Sequence, residues 1–320
     1  MNSNDIDRIL AVNIFRIVIG IFTFIGNGFL MYLFYKFPRL RNSQANIMLF
    51  FLSFFDLTIG VGTVYRGVYA IYSTSMDMLL FDRMTCLNVN GFQSFGISAM
   101  KPMIIAISID RCLAVFKPVR YAKNDSKTFP YTAAVISVVY SIVNLALSRI
   151  GLDSAPINVC SAGATTTPWN SMSSQIQSYI FFVLLILFYF LALTMTIIRL
   201  KAAPGTSNER RQSKAQIKIF LTVSWVLFTC FLAYGVPTIL NWAGKVFDLG
   251  PDISSYSAIY SGFASGIMAA INVYLYLFKH NEIHRCFMLW LSDNIPKSSK
   301  MFRISKTTNF SHTRISAIVF

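Results

Sequence analysis

Residues 86–121, which read CLNVNGFQSFGISAMKPMIIAISIDRCLAVFKPVRY, decide the fold. The stretch is apolar over most of its length, with a cysteine at one end and the pair Asp110-Arg111 near the other. As a helix, the residues from Cys86 to Arg111 span about 37 Å, more than the roughly 30 Å of hydrocarbon in a bilayer. The stretch therefore predicts a membrane-crossing helix with Cys86 at one surface and Asp110-Arg111 at the other.

Six more apolar stretches of similar length accompany this one. With a window of about 19 residues, the seven lie near 10–35, 45–71, 87–112, 129–150, 176–199, 216–241 and 253–278. Runs of this length satisfy their backbone hydrogen bonds as helices, whereas barrel strands need only about ten residues. The predicted fold is all-α, a seven-transmembrane helix bundle over residues 1–290 with a short helix after segment 7, followed by a flexible basic tail over 291–320.

Composition excludes the ordinary soluble classes. The chain is 55% hydrophobic and 13% charged, with a mean hydropathy of +0.55, whereas soluble chains are about a quarter charged. A net charge of +15 suggests nucleic acid, but 29 Phe and 15 Tyr in apolar runs contradict that partner. Five cysteines without C-x-x-C spacing predict no metal site, and we expect no cofactor.

The basic residues are distributed unevenly between the two sides of the predicted bundle. Of the 28 Lys and Arg residues, 21 lie after segments 1, 3, 5 and 7. Cytoplasmic loops concentrate such residues, so we expect the N-terminus outside and the C-terminus inside. Cys160 is the single cysteine of the outward loop between segments 4 and 5. Since the outside is oxidising, a Cys86–Cys160 disulfide is predicted, with the other three cysteines reduced.

Five short motifs, in order and correctly spaced, resemble those of the rhodopsin-like G-protein-coupled receptors over about residues 20–290. They are Gly26-Asn27, Leu52-Ser-Phe-Phe-Asp56, Cys86 with Cys160, Asp110-Arg111-Cys112 with Pro118-x-x-Tyr121, and Asn272-x-x-x-Tyr276. The Phe-rich chain is most similar to the nematode serpentine chemoreceptors, particularly the Srsx-like group. The resemblance implies a multi-pass plasma-membrane receptor, not an enzyme, that transduces an extracellular ligand, a chemosensory cue, to a heterotrimeric G protein.

The resemblance also implies roles for individual residues. Arg111 is expected to stabilise the inactive state through Asp110 and to contact the G protein, with Tyr121 and Tyr276 in the same switch. The remaining predicted sites are an intramembrane polar network of Asn27, Asp56, Lys101 and Asn272, and a ligand pocket of Arg66, Tyr69 and Gln93. The expected partners are a small-molecule or peptide ligand, the G protein, arrestin, receptor kinases and the lipid bilayer.

The chain departs from the family pattern at several positions. Segment 4 lacks the family's tryptophan, segment 5 has no proline, and Val273 replaces the proline expected after Asn272. In segment 6 Pro237 follows Tyr234-Gly235-Val236, so the tryptophan toggle is missing. These losses put the usual activation relay in doubt. Gln93 stands where amine receptors have an aspartate, which disfavours a biogenic amine ligand.

Two intramembrane cations each allow two interpretations. Arg66 either faces the pocket or extends its side chain to the outer interface. Lys101 lies one position after Met100, where the family has a small polar residue that helps the segment 2 acid to coordinate sodium. Lys101 is expected to pair with Asp56 in place of sodium, because each unpaired charge in hydrocarbon costs several kcal/mol. The alternative is that Lys101 bonds backbone carbonyls or water.

Other function classes fit less well. A neuropeptide-type receptor of the same fold is the nearest alternative, and a seven-helix channel or transporter is a weaker one, since no inverted repeat is visible and the charge distribution opposes an inside N-terminus. An intramembrane protease is excluded because all three His lie past residue 279. His280 and His284, one turn apart, lack further metal ligands and are interpreted as the solvated face of a short helix.

Overall fold

The structure, a computed structural model, describes residues 8–78, 80–116, 121, 126–153, 155–157, 160, 165–202, 228–247 and 251–294. In these ranges the chain is predominantly helical, and six helices are long and apolar enough to cross a membrane. They match predicted segments 1–5 and 7. Of predicted segment 6, residues 228–241 are described and helical, while residues 216–227 lie outside the described ranges.

The helices begin and end close to the predicted segments. Their bounds are α1 Leu10–Lys36, α2 Gln44–Ser75, α3 Arg83–Val89, α4 Gly91–Phe116, α5 Thr128–Leu147, α6 Pro168–Ala202, α7 Val236–Val246, α8 Pro251–Lys279 and α9 Asn281–Asn294. A 3-10 helix, Pro38–Asn42, joins α1 to α2, and a π-helical turn, Phe231–Gly235, precedes α7. The predicted short helix after segment 7 is α9, and it continues past the predicted boundary at residue 290.

Two helices differ from the predicted segments. The predicted segment 3 is divided at Asn90, whose side-chain amide donates to the carbonyl of Cys86 at 2.8 Å. Helix α6 starts at Pro168, eight residues before the predicted start at 176. Proline is favoured in the first turn of a helix, where its missing N–H has no partner to lose. The polar residues that follow Pro168 therefore extend the helix beyond its apolar part.

Helix α4 lies at the centre of the bundle, where it contacts α2, α5 and α6. Small residues allow the close approach of α2 and α4. A Cβ added to Gly62 would lie 2.3 Å from the backbone nitrogen of Gln93, and one added to Gly96 would lie 2.7 Å from the carbonyl oxygen of Phe55. Such small residues are typical of helix interfaces in membranes. The same α4 face continues through the fully buried Met100.

The end of the bundle that carries Cys86 is closed by a disulfide and a short sheet. Strand β1, Phe81–Asp82, pairs antiparallel with β2, Pro156–Ile157. Beside them Cys86 and Cys160 form the predicted disulfide, with a Cα–Cα distance of 5.3 Å. Asp82 also accepts from the backbone N–H of Thr85 and so caps α3, and hydrogen bonding with the Thr85 side chain and then with its backbone lowers the pKa of the Asp82 carboxyl. The predicted disulfide is confirmed, and Cys112, Cys230 and Cys286 are buried free thiols.

The interpretation of His280 and His284 as a solvated face is wrong. Helix α9 folds back on the bundle, where Trp290 packs edge-on against Phe29 of α1 at 4.8 Å between ring centroids. His284 places its Nδ1 2.9 Å from the carbonyl oxygen of Leu277. Both histidines are partly buried at the junction of α8 and α9. The sequence of α9 alone does not show this, because the burial depends on how α9 packs against the end of α8.

The disulfide gives a direct test of the end of the fold that carries Cys86. Replacing Cys86 or Cys160 by Ser removes the disulfide between α3 and the chain that follows β2, so each variant should reach the cell surface less well. The double variant should be no worse than either single one, because both remove the same bond. Surface labelling of tagged receptors measures this, and Cys230→Ser is the matched control. Additive defects would contradict a shared bridge.

Candidate functional site

The buried carboxylate of Asp110 organises the end of α4 opposite the disulfide. It has no exposed surface, and Arg111 Nη2 lies 2.8 Å from one of its oxygens. The Tyr121 hydroxyl donates to both oxygens at 2.9 and 3.1 Å, and Gln44 Nε2 of α2 donates at 3.0 Å. Burial raises the pKa of Tyr121 above its ordinary value, so the hydroxyl keeps the proton that it donates. Pro118, the companion of Tyr121 in the motif, lies outside the described residues.

This arrangement, which we call the Asp110 cluster (Gln44, Asp110, Arg111 and Tyr121), restrains α2, α4 and Tyr121 relative to each other. The carboxylate is fully covered, while the Arg111 side chain retains 14% of its exposure. The Arg111 guanidinium can therefore leave Asp110 and bond to another group while the carboxylate stays covered. The role of Gln44 was not predicted, because one amide at the start of a helix carries no periodic signal.

A second polar group lies in the middle of the bundle. Asp56 of α2 is fully buried and accepts a hydrogen bond from Asn272 Nδ2 of α8 at 3.0 Å. Asn27 of α1 donates to the carbonyls of Thr23 at 3.0 Å and Ala269 at 3.3 Å. The structure therefore brings together three of the four predicted network residues, and they join α1, α2 and α8.

This central group holds unused hydrogen-bonding capacity. Within the described part of the chain, Asp56 Oδ1, Asn272 Oδ1 and the hydroxyls of Tyr234 and Tyr276 are buried without a protein hydrogen-bond partner. Buried polar groups are usually bonded, and each new bond contributes about 1 kcal/mol. A helix movement that paired two of these atoms would gain about that amount from the new bond.

The predicted pairing of Lys101 with Asp56 is wrong. Lys101 Nζ donates to Ser178 Oγ of α6 at 3.2 Å, and the described residues contain no ion pair between Lys101 and Asp56. The reason is helical geometry. Gln93, Gly96 and Met100 follow helical spacing along one α4 face, and the first two touch α2. The next residue after Met100 is turned by about 100°, toward α6.

The predicted ligand pocket is only partly assembled. Arg66 is 5% exposed and lines a small cavity between α1, α2, α4 and α8, so it faces the pocket and not the outer interface. Gln93 lines the same cavity and donates to the carbonyl of Gly262 at 3.1 Å. Tyr69 instead packs against Phe81, beside the disulfide, and is absent from the described lining.

Arg16 of α1 lines this cavity as well, and sequence reasoning gave it no role. It is 3% exposed, and its Nη1 donates to Asn13 Oδ1 at 2.8 Å. In the sequence, a single cation near one end of an apolar segment resembles an interfacial residue and does not indicate a pocket. The available signal was the spacing of Asn13 and Arg16, which places both side chains on one helix face.

Segment 6, which lacks the family's tryptophan, has a π-helical turn at Phe231–Gly235, directly before α7. Pro237 lies in the first turn of α7, where a missing backbone N–H is tolerated. Ser257 of α8 donates to the carbonyl of Pro237 at 2.7 Å, and the Tyr260 hydroxyl donates to that of Leu232 at 3.0 Å. The π-helical turn, which contains the buried Tyr234, and the start of α7 are therefore bonded to α8.

The comparisons with known proteins agree with this geometry. A family model described as the serpentine type seven-transmembrane G-protein-coupled chemoreceptor Srsx matches residues 18–290. The RYamide receptor of Drosophila melanogaster is 24% identical over 263 residues, which cover 72% of this chain and 53% of that protein. Melanopsin of Podarcis siculus is 25% identical over 273 residues, which cover 79% and 57%. The chain spans about half the length of the curated relatives it matches.

The buried His280 predicts that acid lowers the stability of the bundle end that carries Arg111. Burial, with a smaller contribution from the charge of Arg111, lowers its pKa from 6.5 to about 4. Below pH 6.5 this histidine is protonated in the unfolded chain but stays neutral in the folded chain. The free energy of unfolding therefore falls as the pH is lowered toward 4. The loss reaches about 1 kcal/mol at pH 5.5. The melting temperature of the receptor in detergent should fall between pH 7.5 and pH 5.5, and it should fall less for His280→Gln than for wild type. An equal fall in both proteins would refute this prediction.

Two double-mutant cycles test the placement of Lys101. Lys101→Met and Ser178→Ala should be coupled by about 1 kcal/mol, because they remove the two ends of one hydrogen bond. Lys101→Met and Asp56→Asn should instead be additive within about 0.5 kcal/mol, because the two side chains have different partners. Melting temperatures of the three single and two double variants, with wild type, measure both coupling energies. Coupling of Lys101 with Asp56 and additivity with Ser178 would reverse the assignment.

Proposed function

Because the chain belongs to the Srsx family of serpentine seven-transmembrane chemoreceptors, which are G-protein-coupled receptors and not enzymes, we propose that it couples an extracellular ligand to a heterotrimeric G protein through the Asp110 cluster. It is a multi-pass membrane protein of a class typically found at the plasma membrane. The observation that carries the proposal is the partly exposed Arg111, held by a wholly buried carboxylate at one end of the bundle.

In this proposal the end with the disulfide faces outward and the Asp110 cluster faces the cytoplasm. The uneven distribution of 28 basic residues supports this orientation, as cytoplasmic loops concentrate them. The N-terminus is then outside. The cytoplasmic end also carries α9, which is attached to α2 by a hydrogen bond of 2.6 Å from Asn46 Nδ2 to Glu282 Oε2.

The mechanism follows from the partners of Asp110. In the resting state Arg111, Tyr121 and Gln44 all bond to the carboxylate, which fixes the cytoplasmic ends of α2 and α4. Activation releases Arg111, whose guanidinium then bonds to the G protein at the cytoplasmic mouth. Tyr121 and Gln44 continue to bond to Asp110 after this release, so the exchange does not leave a buried charge without partners.

The outer cavity, which Arg66 and Gln93 line, is the proposed ligand site. A small-molecule cue is the first candidate because the family is one of chemoreceptors. A neuropeptide-type receptor is the second candidate, favoured by the similarity to the RYamide receptor. A panel of small molecules and amidated peptides, read out by G-protein activation, separates the two. Arrestin and receptor kinases are proposed as later partners, with the lipid bilayer as the surrounding medium.

The Asp110 cluster can be tested without a known ligand. Asp110→Asn weakens the hold on Arg111 and should raise basal nucleotide exchange on co-reconstituted G protein several-fold. Arg111→Ala, alone or combined with Asp110→Asn, should lower exchange at least tenfold relative to Asp110→Asn, because the contacting cation is absent. Arg41→Ala, an exposed cation in the same region, is the control and should change exchange less than twofold.

Surface expression must be measured for each of these variants, since Tyr121 and Gln44 should keep Arg111→Ala folded. The proposed mechanism would be contradicted if the Asp110→Asn/Arg111→Ala receptor reached the surface normally and still promoted nucleotide exchange as well as Asp110→Asn does.

A further inference from the structure

We propose that a cleft between α4 and α6 binds an aliphatic carboxylate, whose charged group is held by the ammonium of Lys101. The cleft is separate from the outer cavity, because Gln93 of that cavity lies on the α4 face toward α2, whereas Lys101 is directed toward α6. We call it the Lys101 cleft, and its lining consists of Ser94, Ser98 and Lys101 of α4 with Ser171, Ser174 and Ser178 of α6.

Lys101 has no counter-ion of its own chain at its depth in the membrane. Of the 13 Asp and Glu residues, Asp56 and Asp110 alone lie within the seven apolar segments. Asp56 accepts from Asn272 and Asp110 is bonded to Arg111, and in the described part of the chain neither pairs with Lys101. An intramembrane ammonium without a counter-ion is costly and marks a functional site. A partner of opposite charge therefore comes from outside the chain.

The ammonium group also keeps donors for such a partner. A lysine has three N–H donors and no acceptor. One of the three is bonded to Ser178 Oγ at 3.2 Å, and Ser178 uses its own hydrogen to donate to the carbonyl of Ser174 at 2.8 Å. Among the described residues this leaves two N–H groups of Lys101 for the oxygens of a carboxylate, which form strong hydrogen bonds with a charged donor.

The faces of α4 and α6 on the disulfide side of Lys101 are lined by small side chains. Ser94 and Ser98 precede Lys101 by seven and three residues, and Ser171 and Ser174 precede Ser178 by seven and four. This spacing places each set on one face of its helix. Ser174 is exposed and the other four serines are half-buried. The two faces therefore run beside each other for about 10 Å without closing.

On the opposite side of Lys101 the same two faces are closed. Ile104 and Ser108, the next residues of this α4 face, are 2% and 4% exposed. Phe181 and Leu185, the next residues of the α6 face, are each 4% exposed. Lys101 therefore lies at the closed end of the cleft, where a carboxylate that enters from the disulfide side meets the ammonium.

The rest of the lining suits an aliphatic chain. Serine hydroxyls in a helix can bond to carbonyls of the same helix, as Ser178 does, and they then need no polar partner from the ligand. Ile97, which is half-buried and lies between Ser94 and Ser98, adds apolar surface to the α4 side. The charge of an aliphatic carboxylate thus lies at the closed end and its chain along the open part.

The test uses full-length receptor in phosphatidylcholine nanodiscs and tritiated octanoate, with empty nanodiscs as the background. Binding to wild type should saturate, and unlabelled octanoate should displace the tracer. The uncharged analogue 1-octanol, which has the same chain, should not displace it. Lys101→Met should weaken the apparent affinity at least tenfold, because the ion pair is lost. Lys279→Met, which removes an exposed lysine, is the matched control and should behave as wild type.

Three further variants locate the binding in the cleft. Lys101→Arg keeps the charge and should bind octanoate more tightly than Lys101→Met does. Ser178→Ala leaves the ammonium in place and should keep the affinity within threefold of wild type. Ser94→Leu fills the open part of the cleft without touching the ammonium and should weaken the affinity at least fivefold. The melting temperature of every variant is measured, so that only folded receptors are compared.

Four outcomes would overturn the inference. They are tracer binding no greater than that of empty nanodiscs, equal displacement by 1-octanol, wild-type affinity in folded Lys101→Met, and wild-type affinity in folded Ser94→Leu. Equal displacement by 1-octanol would mean that the chain alone is bound and that the charge has no role. Ser94→Leu decides the matter if Lys101→Met does not fold. Binding is measured without a G protein, so none of these results affects the test of the Asp110 cluster.

Discussion

The rest of the structure depends on the burial of one carboxylate, that of Asp110. An ionised carboxylate at the edge of a membrane is stable only when its oxygens are bonded, and here three side chains supply those bonds. Gln44 comes from α2, Arg111 from α4 itself, and Tyr121 from the chain beyond it. The requirement to satisfy one buried group thus fixes the inner ends of two helices and limits the exposure of Arg111, the residue proposed to contact the G protein.

Two helices connect this inner end to the outer cavity. Helix α4 carries Gln93 near one end and Asp110 near the other, and α8 carries Gly262, Asn272 and Tyr276 along its length. The hydrogen bond from Gln93 to the carbonyl of Gly262 joins the two helices at the cavity. In the proposed mechanism, a ligand group that altered this contact would displace helices that also hold the central polar group, where several buried atoms are available to form new bonds. Coupling between the two ends therefore has a contiguous physical route.

Much of the fold could be predicted from the sequence, because its strongest signals are long runs of residues that can be recognised without knowing which helices pack together. Apolar runs of membrane length gave the helices, and the sidedness of the cysteines gave the disulfide. The position of Lys101 was not predictable in the same way. The spacing of Gln93, Gly96 and Met100 places them on one face of α4, but only the structure shows that this face meets α2 and that Lys101 lies off it. The two-residue strands were too short for any periodic signal, and the burial of His280 depends on how α9 packs.

The most direct test of the central claim is a cryo-electron microscopy structure of the receptor bound to its G protein. The account predicts that the Arg111 guanidinium lies beyond 4 Å from the Asp110 carboxylate and contacts the G protein, while Tyr121 or Gln44 remains bonded to Asp110. An active complex in which Arg111 still lies within hydrogen-bond distance of Asp110 and makes no contact with the G protein would contradict it.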